Sequence, residues 1–474
     1  MKLSELLGGL PYGVHDAEVS SITNDSRRVE KGTLFFCIRG VNTDGHKYSG
    51  SAAAKGAVAV VADHNVGVDC QIIVPDTRVA YAMACSAFYG NPKDKLKLIG
   101  ITGTNGKTTT AYLIKSMLES LGKKTGMIGT ICNIIGAQVL PAANTTPDAA
   151  ELHYLLRRMV DAGCEYVVME VSSHALDQHR VEGLHYSSAA FTNITQDHLD
   201  YHGTMDNYIS AKRRLFGMTD FAVVNRDDAH YCDMTRDVGC KLLTYSVNAD
   251  SDLRAEDIAY LPSGTNFTLT GDGICERITT RTPGKFSVYN ALCAASCMIS
   301  LGFEPEAVCT ALSQASAVKG RAEVVPTDRD FTVIIDYAHT PDGIENILSA
   351  MNEIKTGRLV TLFGCGGDRD RTKRPIMGRI AADMSDYCIV TSDNPRTEQP
   401  SAIIEDIVAG MKTASTPYTV IENRREAIFY AVRNAKPNDI IVLAGKGHET
   451  YQIIGTEKNH FDEREVVAEA LAEL

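Results

Sequence analysis

The 474-residue chain has no internal repeat, no low-complexity tract and no apolar run long enough to span a membrane. It contains no C-x-x-C pair, and its 13 cysteines are scattered and odd in number. Such a set argues against a disulfide framework and points to a reducing compartment. The opening stretch MKLSELLGGLPYGVHDAEV carries no apolar h-region, so the expectation is a cytoplasmic protein. Positive charge is also short. Lys+Arg 47 against Asp+Glu 59 gives a formal net charge of −12. A duplex-binding protein normally shows a basic surface, so this balance turns the reading away from nucleic acid. Small anionic ligands need only a local basic pocket, and they stay open.

What is present is alternation. At about 150 residues per domain the length suits three domains. Residues 1–94 hold TLFFCIRG, AVAVVADH and CQIIVPD with helical stretches between. From 95, KLIGITG, EYVVMEVS, AAFTNIT and FAVVNRD alternate with helices, and FSVYNALCAASCMISLG reads as the helix that closes this block by 318. Cys293 and Cys297 share one buried face of that helix. Residues 319–474 carry FTVIIDYAH, RLVTLFGCGG, YCIVTSDNPR, YTVIEN and DIIVLAGKGHE. This pattern predicts an α/β fold of parallel sheets covered by helices. The expectation is a small N-terminal α/β domain (1–94), a central P-loop domain (95–318) and a Rossmann-like C-terminal domain (319–474). The later strands end in glycine or polar residues, and α/β sheets bind ligands at the carboxyl ends of their strands. The active site is therefore expected between the two larger sheets.

The sharpest motif is KLIGITGTNGKTTT. It resembles the phosphate loop G-x-x-x-x-G-K-[ST], yet the position for its first glycine is Ile101. An apolar strand still runs into glycines and then a helix, so backbone N–H groups would face an anion. Gly103, Thr104, Asn105, Gly106, Lys107, Thr108 and Thr109 form the loop. Lys107 suits β- and γ-phosphates, and the Thr108 hydroxyl suits Mg²⁺. Glu170 ends an apolar strand, where a carboxylate can hold Mg²⁺. In TQDHLDYHG, Asp197, His198, Asp200 and His202 crowd together. That spacing could suggest zinc, but no further Cys or His set completes a site, and an Asp/His-rich helix cap is the plainer reading.

GTNGKTT, with NDSRRVEKGTLFFCIRGVNTDGHKY, ANTTPD, MEVSSHALDQHRV, TNITQDHLDYHG, SAKRRLF, YNALCA, KGRAEVV, IDYAHTPD, FGCGGDRDRTKRP, DNPRTEQP and AGKGHETYQ, resembles the Mur ligase family in motif and in order, along essentially the whole chain. The resemblance implies an ATP-dependent, ADP-forming amide ligase with Mg²⁺ as cofactor. A substrate carboxylate would become an acyl phosphate and then be attacked by an amine. Within the family, the implied partners are ATP, UDP-N-acetylmuramoyl-L-Ala-D-Glu and meso-2,6-diaminopimelate. The protein is taken to be a monomer without nucleic-acid or membrane partners.

The resemblance also implies roles for particular residues. Lys107, Glu170, His198 and Lys212 form the catalytic set, with Lys212 carbamylated by CO₂ so that it becomes a metal-ligating anion. Thr108, Glu170, His198 and Lys212 hold metal. Asn290, Arg321 and Asp336 complete the ATP site. Asn24, Ser26, Val41, Asn42 and Thr43 meet the uridine nucleotide. Asn144, Thr145, Thr146, Ser172, Gln178 and Arg180 surround the muramoyl dipeptide. Arg369, Asp393, Asn394, Pro395, Arg396, Gly445 and Glu449 receive diaminopimelate. Relatives that add lysine generally lack the Arg of DNPR. Arg396 therefore offers a bidentate cation to the second carboxylate that lysine lacks. The rivals are a lysine-adding relative, a D-Ala-D-Ala-adding relative, a folylpolyglutamate synthase and, from another class, an ATP-hydrolysing switch.

Overall fold

A computed structural model describes residues 1–9, 15–40, 43–271 and 273–474. Val41 and Asn42 lie outside the described residues. The chain divides into two compact units. One comprises Met1–Asp252 and Cys293–Glu304, and the other Leu253–Leu292 and Pro305–Leu474.

The first unit begins with four parallel strands, β1 (Ser21–Thr23), β2 (Thr33–Phe36), β3 (Ala59–Ala62) and β4 (Gln71–Ile73), in that order. Leu34, Phe36, Ala59, Val61 and Ile72 pack one face against the helix Thr77–Phe88 through Tyr81, Ala82 and Cys85. Phe35 and Val60 point to the other face, as the two-residue period of a strand requires. The larger sheet of this unit contains β5 (Lys97–Thr102), β6 (Thr125–Ile128), β7 (Cys132–Ile135), β8 (Gln138–Pro141), β9 (Tyr166–Glu170), β10 (Ser188–Phe191), β11 (Phe221–Asn225) and β12 (Lys241–Ser246). Their spatial order is β12-β11-β10-β5-β9-β6-β7-β8. All neighbours are parallel except β6–β7 and β7–β8. β5 lies between β9 and β10, so the carboxyl ends of three strands converge: Thr102, Glu170 and Phe191.

The second unit holds the antiparallel meander β13 (Leu253–Leu261), β14 (Gly264–Gly271) and β15 (Ile274–Thr280). The sequence reading did not separate this polar, alternating stretch from the central block. The helix expected to close that block forms at Lys285–Ser300, with Cys293 and Cys297 fully buried. The main sheet of this unit contains β16 (Glu323–Val325), β17 (Thr332–Asp336), β18 (Leu359–Phe363), β19 (Tyr387–Val390), β20 (Tyr418–Val420) and β21 (Ile440–Ala444). Their order is β16-β17-β21-β18-β19-β20, antiparallel only at β16. Both faces are apolar. Ile334, Leu359, Phe363, Ile440 and Val442 face one helical layer, and Val333, Ile335, Val360, Leu362 and Ile441 face the other. A parallel sheet covered on both sides produces this pattern of continuous apolar strands. A short hairpin, β22 (Tyr451–Ile454) and β23 (Glu457–His460), follows β21.

Candidate active site

β5 delivers the phosphate loop. Gly103 has φ +145°, and a Cβ there would lie 1.9 Å from the Thr192 hydroxyl, so the position admits only glycine. Gly106, at φ +86°, caps the helix Lys107–Ser120. The loop is tied to the neighbouring strand end. Thr104 N donates to Asn193 O (2.8 Å), Asn105 N to Asn193 Oδ1 (3.0 Å) and Thr192 Oγ1 to Asn105 O (2.6 Å). Lys107 Nζ donates to the carbonyls of Gly103 and Thr104, both at 2.8 Å. Thr109 is buried in the first turn of the helix.

Glu170 is 1% exposed at the end of β9. Its carboxylate accepts from Thr108 Oγ1 (2.9 Å), Thr130 N (2.9 Å) and Thr130 Oγ1 (3.0 Å). Thr108 and Glu170 are thus joined directly, and their hard oxygens fit Mg²⁺, which uses one or two carboxylates and keeps several waters. Lys212 is 1% exposed on the helix Met205–Arg213. Its Nζ donates to Gly103 O at 2.7 Å and sits 4.6 Å from the centre of the Tyr208 ring. Burial, and then the nearby Lys107 cation, hold its pKa well below the ordinary lysine value. As an ammonium, Lys212 is no partner for a cation; as a carbamate it would be.

His198 takes a left-handed backbone conformation, φ +53°. Its ring lies 4.8 Å from His174 and 6.1 Å from Tyr208, whose hydroxyl pairs with Thr104 Oγ1 at 3.1 Å. Burial lowers the His198 pKa. The tight run of Asp and His around it gathers no group of three metal donors. Among the described residues, the one such group is His46, Asp63 and His64, far from this loop in sequence and unforeseen from it.

A hydrogen-bonded path leads from the phosphate loop to a second site. Thr130 Oγ1 pairs with Thr145 Oγ1 (3.0 Å), and Thr146 Oγ1 donates to Glu170 O (2.9 Å) while accepting from Ser172 N (3.0 Å). Arg180 Nη1 then donates to Thr146 O (2.9 Å) and Nη2 to Gln178 Oε1 (2.8 Å). Asn24, Asn144, Gln178 and Arg180 line one cleft of about 160 Å³. The cleft brings together residues from loops and helices beside both sheets of this unit, and it adds Arg78, Tyr81 and Asp148, which sequence reasoning missed. Ser26 and Thr43 are not among its lining residues. The Ser26 carbonyl accepts from Lys55 Nζ (2.8 Å), and Thr43 Oγ1 lies 3.4 Å from the Tyr48 hydroxyl.

In the second unit, Asp336 ends β17 with both carboxylate oxygens occupied by backbone donors. Oδ1 accepts from Ala338 N (2.8 Å) and Oδ2 from Ala322 N (2.7 Å). Burial raises its pKa. Arg321 lies 5.1 Å from the centre of the Tyr337 ring, and Asn290 is buried in its helix.

The DNPR segment follows β19. Arg396 has φ +52°, its N–H donates to Ile453 O (3.1 Å) and its Nη1 to Gly367 O (2.8 Å). A Cβ on Gly366 would lie 2.9 Å from Arg396 Nη1 and 3.9 Å from Arg369 Cγ, so the two arginines flank one bare glycine. Pro395 O would meet a Cβ on Gly367 at 1.9 Å, which keeps the turn closely packed. Asn394 Nδ2 donates to Glu449 Oε2 at 2.8 Å. Gly445, at φ +116°, has no room for a Cβ beside Asp393 Oδ2, 2.7 Å away. Lys446, not singled out in the sequence, is completely buried between Asp393, Asn394 and Glu449.

Two α/β units, one with a phosphate loop backed by a buried glutamate and one with paired guanidinium and carboxylate groups, define an ATP-dependent ligase. Residues 18–90 match the Mur ligase family catalytic domain, 101–298 the Mur ligase middle domain and 320–447 the Mur ligase glutamate ligase domain. The chain belongs to the Mur ligase family. It is 47% identical to the UDP-N-acetylmuramoyl-L-alanyl-D-glutamate--2,6-diaminopimelate ligase 1 of Clostridium acetobutylicum, covering 100% of both chains. It is 48% identical to the corresponding ligase of Caldanaerobacter subterraneus, covering 100% of this chain and 99% of the relative. A solved structure of a ligase of that name superposes with a TM-score of 0.77 at 33% identity, over 100% of this chain and 99% of that one. The MurF of Acinetobacter baumannii shares the fold, at TM-score 0.65 and 19% identity over 99% and 98%.

Proposed function

We infer that the protein adds meso-2,6-diaminopimelate to the D-glutamate γ-carboxylate of UDP-N-acetylmuramoyl-L-Ala-D-Glu, consuming ATP and releasing ADP and phosphate in peptidoglycan precursor synthesis. The observation that carries this reading is the pair of arginines, Arg369 and Arg396, flanking Gly366, with the Asn394–Glu449 pair in the same unit. Guanidinium groups suit the carboxylates of a diamino diacid and Glu449 suits an ammonium. The relatives are named as ligases of UDP-N-acetylmuramoyl-L-alanyl-D-glutamate and 2,6-diaminopimelate, which supports this reading.

In the first step the substrate carboxylate attacks the γ-phosphorus and ADP leaves. In the second, the amine nitrogen attacks the acyl carbon, the carbon–oxygen bond to phosphate breaks, and the nitrogen gives up a proton. Negative charge on the phosphoryl oxygens builds in both, so positioned cations and N–H donors carry the catalysis. Lys107 and the loop N–H groups would hold the β- and γ-phosphates. Thr108, Glu170, His198 and carbamylated Lys212 would hold Mg²⁺, which when bound neutralises phosphoryl charge. Asn290, Arg321 and Asp336 would receive the nucleoside end of ATP.

The 160 Å³ cleft supports a place for the nucleotide-sugar dipeptide against Asn24, Asn144, Gln178 and Arg180, with Thr145, Thr146 and Ser172 along the path to the loop. Ser26 and Thr43 complete the uridine end in this reading. The same reading divides the chain into sugar-nucleotide (1–94), ATP (95–318) and amino-acid (319–474) parts of a cytoplasmic monomer. The test is product mass. Incubation with the three substrates yields the acceptor plus one diaminopimelate less one water. ATP turnover in the absence of the amino acid, with no such product, would favour a switch instead.

A further inference from the structure

Lys446 stands at the carboxyl end of β21, one residue past Gly445, with its side chain 0% exposed. A buried ammonium needs polar partners, and two hydrogen-bond acceptors and one further carboxylate surround it. Nζ lies 3.1 Å from Glu449 Oε2, 3.2 Å from Asn394 Oδ1 and 3.6 Å from Asp393 Oδ1.

The partners are locked in turn. Asn394 Oδ1 accepts from Lys446 and from Ile453 N (2.9 Å), while its Nδ2 donates to Glu449 Oε2 (2.8 Å). With a cation at its oxygen end, the amide cannot flip without setting an N–H₂ against Lys446. Glu449 Oε2 takes both Asn394 and Lys446, whereas Glu449 Oε1 takes no hydrogen bond among the described residues. One carboxylate oxygen is thereby tied down and the other left open. Two carboxylates, Asp393 and Glu449, flank the one ammonium of Lys446. The loop is held from behind as well. Gly447 (φ +53°) leaves no space for a Cβ against Tyr337, and a Cβ on Gly320 would strike His448 N at 2.1 Å.

We propose that Lys446 is a positioning residue for the amino-acid substrate: it orients Asn394 and Glu449 so that Glu449 Oε1 receives the substrate ammonium. This rests on the functional reading above. Lys446 itself touches no substrate.

The experiment is steady-state kinetics on the full chain, varying each substrate in turn, for wild type, Lys446→Met and Lys446→Gln, with thermal unfolding of each. Positioning predicts a rise in KM for diaminopimelate of about 10- to 100-fold. The KM values for ATP and for the nucleotide-sugar acceptor should stay within about twofold, because no contact to their proposed residues is lost. Lys446→Gln, which can still donate to one partner, should fall between wild type and Lys446→Met. An unchanged KM for diaminopimelate would overturn the proposal. So would a uniform shift of all three KM values together with Tm, or failure of both variants to fold, since either marks a merely structural lysine. A wild-type protein that does not use diaminopimelate at all would instead bring down the functional reading, and this inference with it.

Discussion

Lys107 and Lys212 meet at one acceptor: both Nζ atoms donate to the carbonyl of Gly103, at 2.8 and 2.7 Å. Two ammonium groups on one oxygen repel each other, and Lys212 is the buried one. Its depressed pKa follows from that burial first and from Lys107 second. A lysine that sheds its proton easily is a nucleophile for CO₂. Carbamylation would also exchange repulsion for attraction, since the product is an anion beside Lys107.

Lys212→Ala should therefore lower turnover by about 100-fold or more, the scale of losing one charge-stabilising group. Short carboxylic acids added to the variant should restore part of it. No rescue, together with an unmodified Lys212 in a high-resolution density map of the wild type, would refute carbamylation.

Gly103→Ala tests the loop geometry. The new Cβ would sit in a left-handed backbone, 1.9 Å from Thr192 Oγ1. The variant should lose about 2–4 kcal/mol of stability and its ATP binding. Unchanged thermal unfolding with full nucleotide affinity would show that the loop is not held as described.

Arg396→Ala tests selection. In the wild type, L-lysine would leave the Arg396 cation without its carboxylate, which costs about 10²- to 10⁴-fold in kcat/KM. The variant should lose most activity toward diaminopimelate while changing little toward lysine, so the ratio collapses. An intact ratio would move specificity elsewhere.

Glu398 gives the pH dependence. Hydrogen bonds from Arg374, then the Asp368 N–H, hold its pKa at about 2, below the ordinary glutamate range. The unfolded chain therefore binds more protons than the folded one between those values. The stability Glu398 contributes is complete above the ordinary glutamate pKa and is lost as pH falls toward about 2. Glu398→Gln should flatten the acid limb of a stability-versus-pH curve. An identical acid limb in wild type and variant would contradict the pairing.

Parts of this site were legible in the sequence because they are local. Thr102 to Thr109 reads as strand, glycines and helix within one window, and Glu170 is marked by the apolar strand it ends. The paired strands of the last block, from FTVIID to DIIVLAG, were legible for the same reason. The 160 Å³ cleft was not, because Asn24, Arg78, Asp148 and Arg180 are far apart in the sequence and meet only in the fold. Arg78 and Asp148 look like surface charges in isolation. Lys446 escaped because a lysine two residues past a strand reads as solvated, and only the fold shows it enclosed by Asp393, Asn394 and Glu449. The β13–β15 meander was missed because its polar alternation lacks the helix crossovers that mark the rest.

The most direct measurement is phosphate release from ATP with UDP-N-acetylmuramoyl-L-Ala-D-Glu, offering diaminopimelate or L-lysine in separate reactions. Release with diaminopimelate and not with lysine is the predicted result. Release with lysine alone would keep the family and contradict the role given to Arg396, and release with neither would contradict the proposed reaction.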